Sequence, residues 1–321
     1  MTLAGSPGRI ESQLVPEAGY ELDTFPVSGL PRRPGLAQLR ALGSAVRAPF
    51  AALRILRRRR PDVVLGAGGY VGGPMVLAAR LQGIPAALTE ADAHVGLANR
   101  LAAPFAERVF LAYPVEGRNG PKYRVVGRPI PAAHLGGARE EARRHFGLPA
   151  DEAVVIVLGG LAGARTLNEL AVAAWAEVGP AVLHIAGTRD FAELRPRVSR
   201  PDYILLEQTD RFGDALAAAD VAVSRAGGTV WELAAAGLPA VLVPYPYATS
   251  DHQALNAGWF ERGGGAIVVR DEEAASRVPP LVAELLDDPG RLARMGGAMR
   301  DLARPYAADE IAEELIALAA R

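Results

Sequence analysis

The chain contains no cysteine, which excludes a disulfide framework, thiolate metal ligation and cysteine catalysis, and fits a reducing compartment. It has almost no net charge. Lys+Arg 35 against Asp+Glu 36 leaves −1, whereas a dedicated nucleic-acid binder is usually far more basic. No apolar run approaches the ~20 residues that cross a bilayer. The opening MTLAGSPGRIESQ lacks the apolar centre of a signal peptide. The five histidines show no metal-ligand spacing, and no metal is expected. What is present is an ordinary globular balance, 50% hydrophobic and 22% charged, over 321 residues. That length accommodates two domains, each with its own core. The first reading is a soluble cytoplasmic α/β protein.

Short apolar runs alternate with longer Ala/Leu/Arg-rich stretches of helical character. The runs 61–69, 83–91, 107–114 and 123–129 read as buried parallel strands entering loops. A second series follows at 153–160, 181–187, 202–208, 219–228, 238–246 and 265–270. Such alternation predicts parallel sheets covered on both faces. The expected division is a first domain over 1–130, a linker region over 131–149, a second domain over 150–305 and a terminal helix over 306–321 that packs back on the first domain. Ligands of such sheets bind at the carboxyl ends of the strands, where this chain concentrates its glycine.

Three glycine clusters stand at those ends. The first runs from Gly66 to Pro74, and Gly68 and Gly69 within it allow backbone to approach a ligand. A tight strand-to-helix turn with no ligand would also use glycine there. The second, Gly159-Gly160-Leu161-Ala162-Gly163-Ala164-Arg165-Thr166-Leu167-Asn168, follows the strand VVIVL and on its own is a weak diphosphate signal. The third is Ser224-Arg225-Ala226-Gly227-Gly228-Thr229-Val230-Trp231-Glu232, followed by Asp251-His252-Gln253-Ala254-Leu255-Asn256. Backbone amides and the Thr229 hydroxyl at a helix start suit phosphate oxygens. Glu232, one turn on, is wrong for phosphate and right for accepting two ribose hydroxyls, although an isolated helical glutamate is often merely exposed. Gln253 can donate to and accept from sugar hydroxyls.

At these residues the chain resembles the MurG-type UDP-N-acetylglucosamine transferases. The segments 9–30, 60–74, 90–103, 125–131 and 158–170 agree with that family in order, so the resemblance is collinear over essentially the whole chain. It implies an α/β GT-B fold, two Rossmann-like domains with a cleft between them, the acceptor side N-terminal and the donor side C-terminal. It implies an inverting transfer of N-acetylglucosamine from UDP to the muramyl 4-hydroxyl of lipid I, forming lipid II for peptidoglycan, with no cofactor. The donor residues it implies are Gly159, Gly160, Gly163, Arg225, Gly227, Gly228, Thr229, Glu232, Gln253 and Asn256. On the acceptor side it implies Gly68, Gly69, Tyr70, Glu90, Asp92 and Asn99.

The chain also departs from that pattern. The family's opening strand and GGTGGH loop, which carries a proposed catalytic histidine, do not occur, and Met1 is read as a late start. The first sheet is therefore expected to have an exposed internal edge. Leu161-Ala162 stands where the family has Ser-Gln, Thr89-Glu90-Ala91-Asp92 where it has HEQN, and Gly127-Arg128-Pro129-Ile130-Pro131 where it has GNP and a basic residue. No base can be named. His94, in the acceptor loop, is the only candidate on that side. His134, His145 and His184 read as structural or solvated, and His252 sits beside Gln253 in the donor loop. Arg32, Arg33, Arg40, Arg47, Arg54 and Arg57–Arg60 alternate with Leu36, Leu39, Leu42, Val46, Phe50, Leu53 and Leu56. That pattern suits either a sheet-packed amphipathic segment, broken in two at Pro49, or a surface lying on an anionic leaflet. A peripheral place on the cytoplasmic face of the plasma membrane is expected, with UDP-N-acetylglucosamine, lipid I and the anionic membrane surface as partners and no nucleic acid. The competing functions are a catalytically impaired UDP-sugar- or lipid-binding homologue and a UDP-sugar epimerase of the same fold. The latter needs acid–base groups around the sugar, which the sequence does not cluster.

Overall fold

A computed structural model describes residues 1–27, 36–160 and 162–321. The chain divides into two compact units. The first comprises 1–91, 95–126 and 309–321, and the second 92–94 and 127–308.

The first unit contains β1 (Thr2–Gly5), α1 (Glu11–Glu17), β2 (Glu21–Thr24), α2 (Leu36–Arg59), β3 (Val64–Gly66), α3 (Gly69–Leu81), β4 (Ala86–Glu90), α4 (Leu97–Ala102), β5 (Arg108–Leu111) and β6 (Tyr123–Val125). Its parallel strands form two separate ladders, β1–β2 and β3–β4–β5–β6. Among the described residues each of β1 and β3 has a ladder partner on one side only, and a cavity of about 440 Å³ lies between them, lined by Leu3, Ala4, Val64, Leu65 and Met75 among others. The start of the chain, which the resemblance implies is the end of a strand, is β1, whereas sequence reading missed β2, because ELDT is short and mixed rather than apolar. Besides its ladder with β1, β2 is anchored by long-range charge. Asp23 is 8% exposed and accepts from Arg58 and from Arg59, the latter at 2.8 Å. These guanidinium groups hold the Asp23 carboxyl below its ordinary value.

Helix α2 corrects a sequence expectation. It runs unbroken through Pro49 as a single helix of 24 residues. A proline inside a helix removes one backbone donor and strains one turn. Here the following turns bury Ala52, Ile55 and Leu56 in the core with Val76, Ala79 and Leu88, which supports the helix beyond the proline.

The second unit opens with α5 (Arg139–Phe146), followed by β7 (Val154–Leu158), α6 (Arg165–Trp175), β8 (Ala181–Ile185), α7 (Phe191–Leu194), β9 (Tyr203–Leu206), α8 (Phe212–Ala218), β10 (Val221–Ser224), α9 (Thr229–Ala236), β11 (Ala240–Leu242), α10 (His252–Arg262), β12 (Ala266–Val268), α11 (Ala274–Leu286) and α12 (Pro289–Leu302). All six strands are parallel in the order β12-β11-β10-β7-β8-β9. All of Val154–Leu158 is buried, as a strand covered by helices on both faces requires. Val157 registers with Val223 on one side and His184 on the other. Strand order reverses at β7 and β10, which makes the space above their carboxyl ends the topological switch point. Helix α13 (Ala307–Ala319) packs on the first unit's sheet, with Ile311 and Leu318 against Ala87, Phe110 and Val126. Glu314 accepts from Arg108 and Arg124, each at 3.1 Å.

Candidate active site

Two turns meet at the switch point of the second unit. One is 159–164, between β7 and α6. The other is 225–228, between β10 and α9. Together with Arg165, Thr166, Arg189, Thr229, Tyr245 and Gln253 they line a cavity of about 510 Å³. The first turn is compressed against the end of β8. Gly163 has φ +77°, and a Cβ on it would stand 2.0 Å from the Ala186 carbonyl oxygen. Gly163 N donates to Gly160 O at 2.9 Å and closes the turn. Leu161, where the sequence departs from Ser-Gln, lies outside the described residues.

Eight of the ten donor residues named from sequence line this cavity: Gly159, Gly160, Gly163, Arg225, Gly227, Gly228, Thr229 and Gln253. Gln253 uses Oε1 to accept from Tyr245 N at 2.9 Å, and its Nε2 lies 3.9 Å from the Cβ position of Gly227. Arg225 is 9% exposed; it donates to the Val243 and Pro244 carbonyls at 3.0 and 3.2 Å and pairs with Asp271. Its guanidinium therefore holds the ends of β11 and β12 beside the cavity. Glu232 lines an adjoining cavity of about 350 Å³, with Gly160 and Thr229 shared between the two. Asn256, the tenth, is 1% exposed. It accepts from Ala93 N at 2.8 Å and donates to Asp92 and to the Ala226 carbonyl. It ties the loop 92–94 to the base of the 225–228 turn.

In the first unit, three acceptor-side residues meet at the ends of β3 and β4. Glu90 accepts from Gly96 N and from Asn99, each at 2.9 Å, and Asn99 also reaches the Thr89 carbonyl. Gly68 caps α3 at φ +78°, and its Cβ position is 3.6 Å from Asn99 Nδ2. Gly69 begins α3 beside it, and Tyr70 is 54% exposed. Asp92 is grouped with the second unit. His94 is half-buried, with no hydrogen-bond partner for its ring among the described residues.

The comparisons with known proteins bear on this geometry. Residues 2–111 match the glycosyltransferase family 28 N-terminal domain, and residues 154–311 match the family 28 C-terminal domain. The chain belongs to glycosyltransferase family 28. A UDP-N-acetylglucosamine–N-acetylmuramyl-(pentapeptide) pyrophosphoryl-undecaprenol N-acetylglucosamine transferase of a Nocardioides species is 42% identical, over 97% of this chain and 87% of that protein. The crystal structure of MurG from Acinetobacter baumannii is similar with TM-score 0.78 at 26% identity, over 98% of this chain and 90% of that one. A UDP-GlcNAc 2-epimerase from Neisseria meningitidis bound to UDP-GlcNAc has TM-score 0.60 at 14% identity, covering 98% of this chain and 90% of that one, which is a likeness of fold.

Three parts of this candidate site carry no role in the sequence reading. Arg165 and Arg189 supply cationic side chains at the cavity wall. Arg165 stands within the second glycine cluster, whereas the signal of Arg189 was a basic residue just past a strand end, which is common on any surface. Arg189 is held by Asp190, at 2.9 and 3.0 Å. Asp190 and the Ala186 carbonyl both accept from Asn168 Nδ2, each at 2.9 Å. That leaves Asn168 Oδ1 to accept from His184 Nε2 at 3.0 Å, so His184 Nδ1 accepts from the Tyr203 hydroxyl at 2.9 Å. The third part is His134, expected to be structural or solvated, whose Nδ1 bonds Glu232 Oε1. His252 contacts the Thr249 carbonyl at 2.9 Å and does not line either cavity.

The buried His184 carries a pH prediction. Burial pushes its pKa down from 6.5 to about 4, so the folded unit holds it neutral. A base with a lowered folded pKa contributes its full stability above pH 6.5. That contribution is lost as pH falls towards 4, where the unfolded chain binds a proton that the folded chain does not. The loss is about 3 kcal/mol. Urea midpoints followed by tryptophan fluorescence should fall across this window. They should fall less in His184→Gln, which does not titrate there. Parallel pH profiles in parent and variant would refute the assignment.

Proposed function

We propose that the chain is an inverting hexosyltransferase that moves N-acetylglucosamine from UDP-N-acetylglucosamine to the muramyl 4-hydroxyl of lipid I, forming lipid II. The observation that carries this reading is the paired cavity at the switch point. One part is lined by the backbone of two glycine turns and by cationic side chains, and its neighbour by Glu232. Amides and cations suit a diphosphate, and a lone carboxylate suits a ribose diol. Near-full-length relatives bearing the transferase name support the same activity, whereas the epimerase likeness is one of fold.

The chemistry is direct displacement at the anomeric carbon. The acceptor hydroxyl attacks, its proton leaves to a base, and UDP departs from the opposite face. Charge grows on the diphosphate as the bond breaks. Amides preset at Gly159–Gly160 and Gly227–Thr229 stabilise it without reorganising, and removing one such donor typically costs ~10²–10³ in rate. Gln253 Nε2, beside Gly227, is placed to donate to a hydroxyl of the transferred sugar.

The lipid-linked acceptor places the reaction at an anionic leaflet, on the cytoplasmic face of the plasma membrane. Arg54, Arg57 and Arg60 are exposed at the end of α2, beside exposed Phe50. Each cation near such a surface contributes ~1 kcal/mol. Arg58 and Arg59 are committed instead to Asp23, and Arg59 also to Glu21. Arg32 and Arg33 lie outside the described residues, as do the side chains of Leu36, Leu39, Arg40, Leu42 and Val46. No helix of the described residues is long and apolar enough to cross a membrane.

Two measurements test the reading. Turnover of a lipid I analogue with UDP-N-acetylglucosamine is expected, and its absence would refute the activity. Glu232→Ala should weaken UDP binding by ~1.5–3 kcal/mol in calorimetry, since a hydrogen bond to a charged group is lost. Alanine keeps the helix propensity of α9, so the fold should persist. Equal affinities for parent and variant would remove Glu232 from the ribose.

A further inference from the structure

Glu232 sits in the first turn of α9, and its side chain is 15% exposed. Among the described residues its one partner is His134, whose Nδ1 contacts Oε1. The two residues are 98 positions apart in sequence. His134 belongs to a stretch that sequence alone assigns to the linker region. The structure shows that stretch anchored. The ring of His134 rests on Phe212, with centroids 5.1 Å apart and planes tilted by 52°. Behind it, the turn is seated on α8 by Gly213, whose Cβ position lies 2.8 Å from the Gly136 carbonyl oxygen and 3.0 Å from that of Ala133. Any side chain at 213 would lift His134 away from Glu232. Leu158, Ile185, Gln208 and Thr229 also line the cavity that His134, Phe212 and Glu232 share.

We propose that His134 is a positioning residue for the nucleoside half of the donor. It holds one oxygen of the Glu232 carboxylate, leaving the other to accept a ribose hydroxyl. This rests on the nucleotide-sugar reading given above. A free glutamate on a helix must give up rotamer freedom when it binds a ribose. A glutamate already bonded to a ring that is packed on Phe212 gives up less, so the bond to His134 preorganises the acceptor.

The test compares UDP with 2′-deoxy-UDP by calorimetry on the full chain and its variants. The parent should prefer the ribonucleotide by about tenfold, the loss expected for one hydrogen bond to a charged acceptor. His134→Phe keeps a ring against Phe212 and cannot bond the carboxylate. His134→Ala removes both. Each should lower UDP affinity several-fold, leave 2′-deoxy-UDP affinity nearly unchanged, and so collapse the ratio. His134→Gln, which can still donate to Glu232, should restore much of it. A residue with only a packing role would lower both affinities together, and a parental ratio in His134→Phe would overturn the proposal. A parent that binds neither nucleotide would instead overturn the nucleotide-sugar reading itself, and His134 with it. A fluorescence melt of each variant identifies any that fail to fold, and the ratio is then read from the remaining ones.

Discussion

Replacing Arg143 by methionine should lower the stability of the second unit by about 3–5 kcal/mol. The residue is 2% exposed yet carries a full guanidinium. Its Nε donates to the Ala218 carbonyl at 3.0 Å. One terminal nitrogen reaches the carbonyls of Pro149, Ala150 and Glu152 at 3.0, 2.6 and 2.8 Å, and the other reaches Asp220 at 2.8 Å. Asp220 in turn accepts from the backbone of Val154 at 2.8 Å, the first residue of β7. One side chain thus joins α5, the end of α8 and the start of the central strand. Desolvation pulls its pKa below the ordinary guanidinium value, Arg139 pushes the same way, and Asp220 opposes both. Methionine matches the apolar stem but leaves these acceptors without their donor. Asp220 keeps Arg139 as a partner at 2.6 Å, which limits the loss. Trp175, Trp231 and Trp259 all lie in this unit, so tryptophan fluorescence in urea reports its unfolding. A shift below about 1 kcal/mol would mean that water replaces the guanidinium at little cost. Arg143→Lys should recover only part of the loss, because a single ammonium cannot span the fork.

The residues that were legible in the sequence share one property: their role is set locally. The run VVIVL can be little other than a strand covered on both faces. Gly159, Gly163, Gly227 and Gly228 mark turns at strand ends, where ligands of parallel sheets sit. Glu232 is one helical turn beyond such a start. The residues that were not legible are set by contacts far along the chain. Strand β2 depends on Arg58 and Arg59, 35 and 36 residues away from Asp23. His134 meets Glu232 only because Gly213 lets its turn lie flat on α8. Arg189 looks like any surface arginine until Asp190, Asn168 and His184 are seen to brace it. Pro49 shows the converse error. The local rule that proline ends a helix is outweighed by the burial of Ala52, Ile55 and Leu56 in the following turns.

Within the donor turn, Gly163→Ala should be far more damaging than Gly160→Ala, although both positions have positive φ. The angles are +77° and +80°, so the conformational cost of a Cβ is similar at each, about 1–2 kcal/mol. The surroundings differ. Among the described residues nothing beyond its chain neighbours lies within 4 Å of the Cβ position at Gly160, whereas at Gly163 it falls 2.0 Å from the Ala186 carbonyl oxygen. Neither side can yield easily. Ala186 N is bonded to the Leu206 carbonyl at 2.9 Å, and Gly187 N to the Glu207 carbonyl at 3.0 Å. Gly187 itself is pressed so closely to the turn that its Cβ position lies 2.2 Å from Gly163 N. An alanine at 163 must therefore push the whole 159–164 turn outward, breaking its closing bond and displacing the amides of Gly159 and Gly160 from the cavity. Gly163→Ala is expected to lose on the order of 3 kcal/mol or more in stability, by adding overpacking to the φ cost. It should also lose most UDP affinity at temperatures where it remains folded. Gly160→Ala should lose only that conformational cost, about 1–2 kcal/mol, and retain measurable UDP binding. Urea unfolding and UDP calorimetry on the two variants read both effects. Equal losses would show that φ alone limits this turn and that the contact with Ala186 relaxes freely.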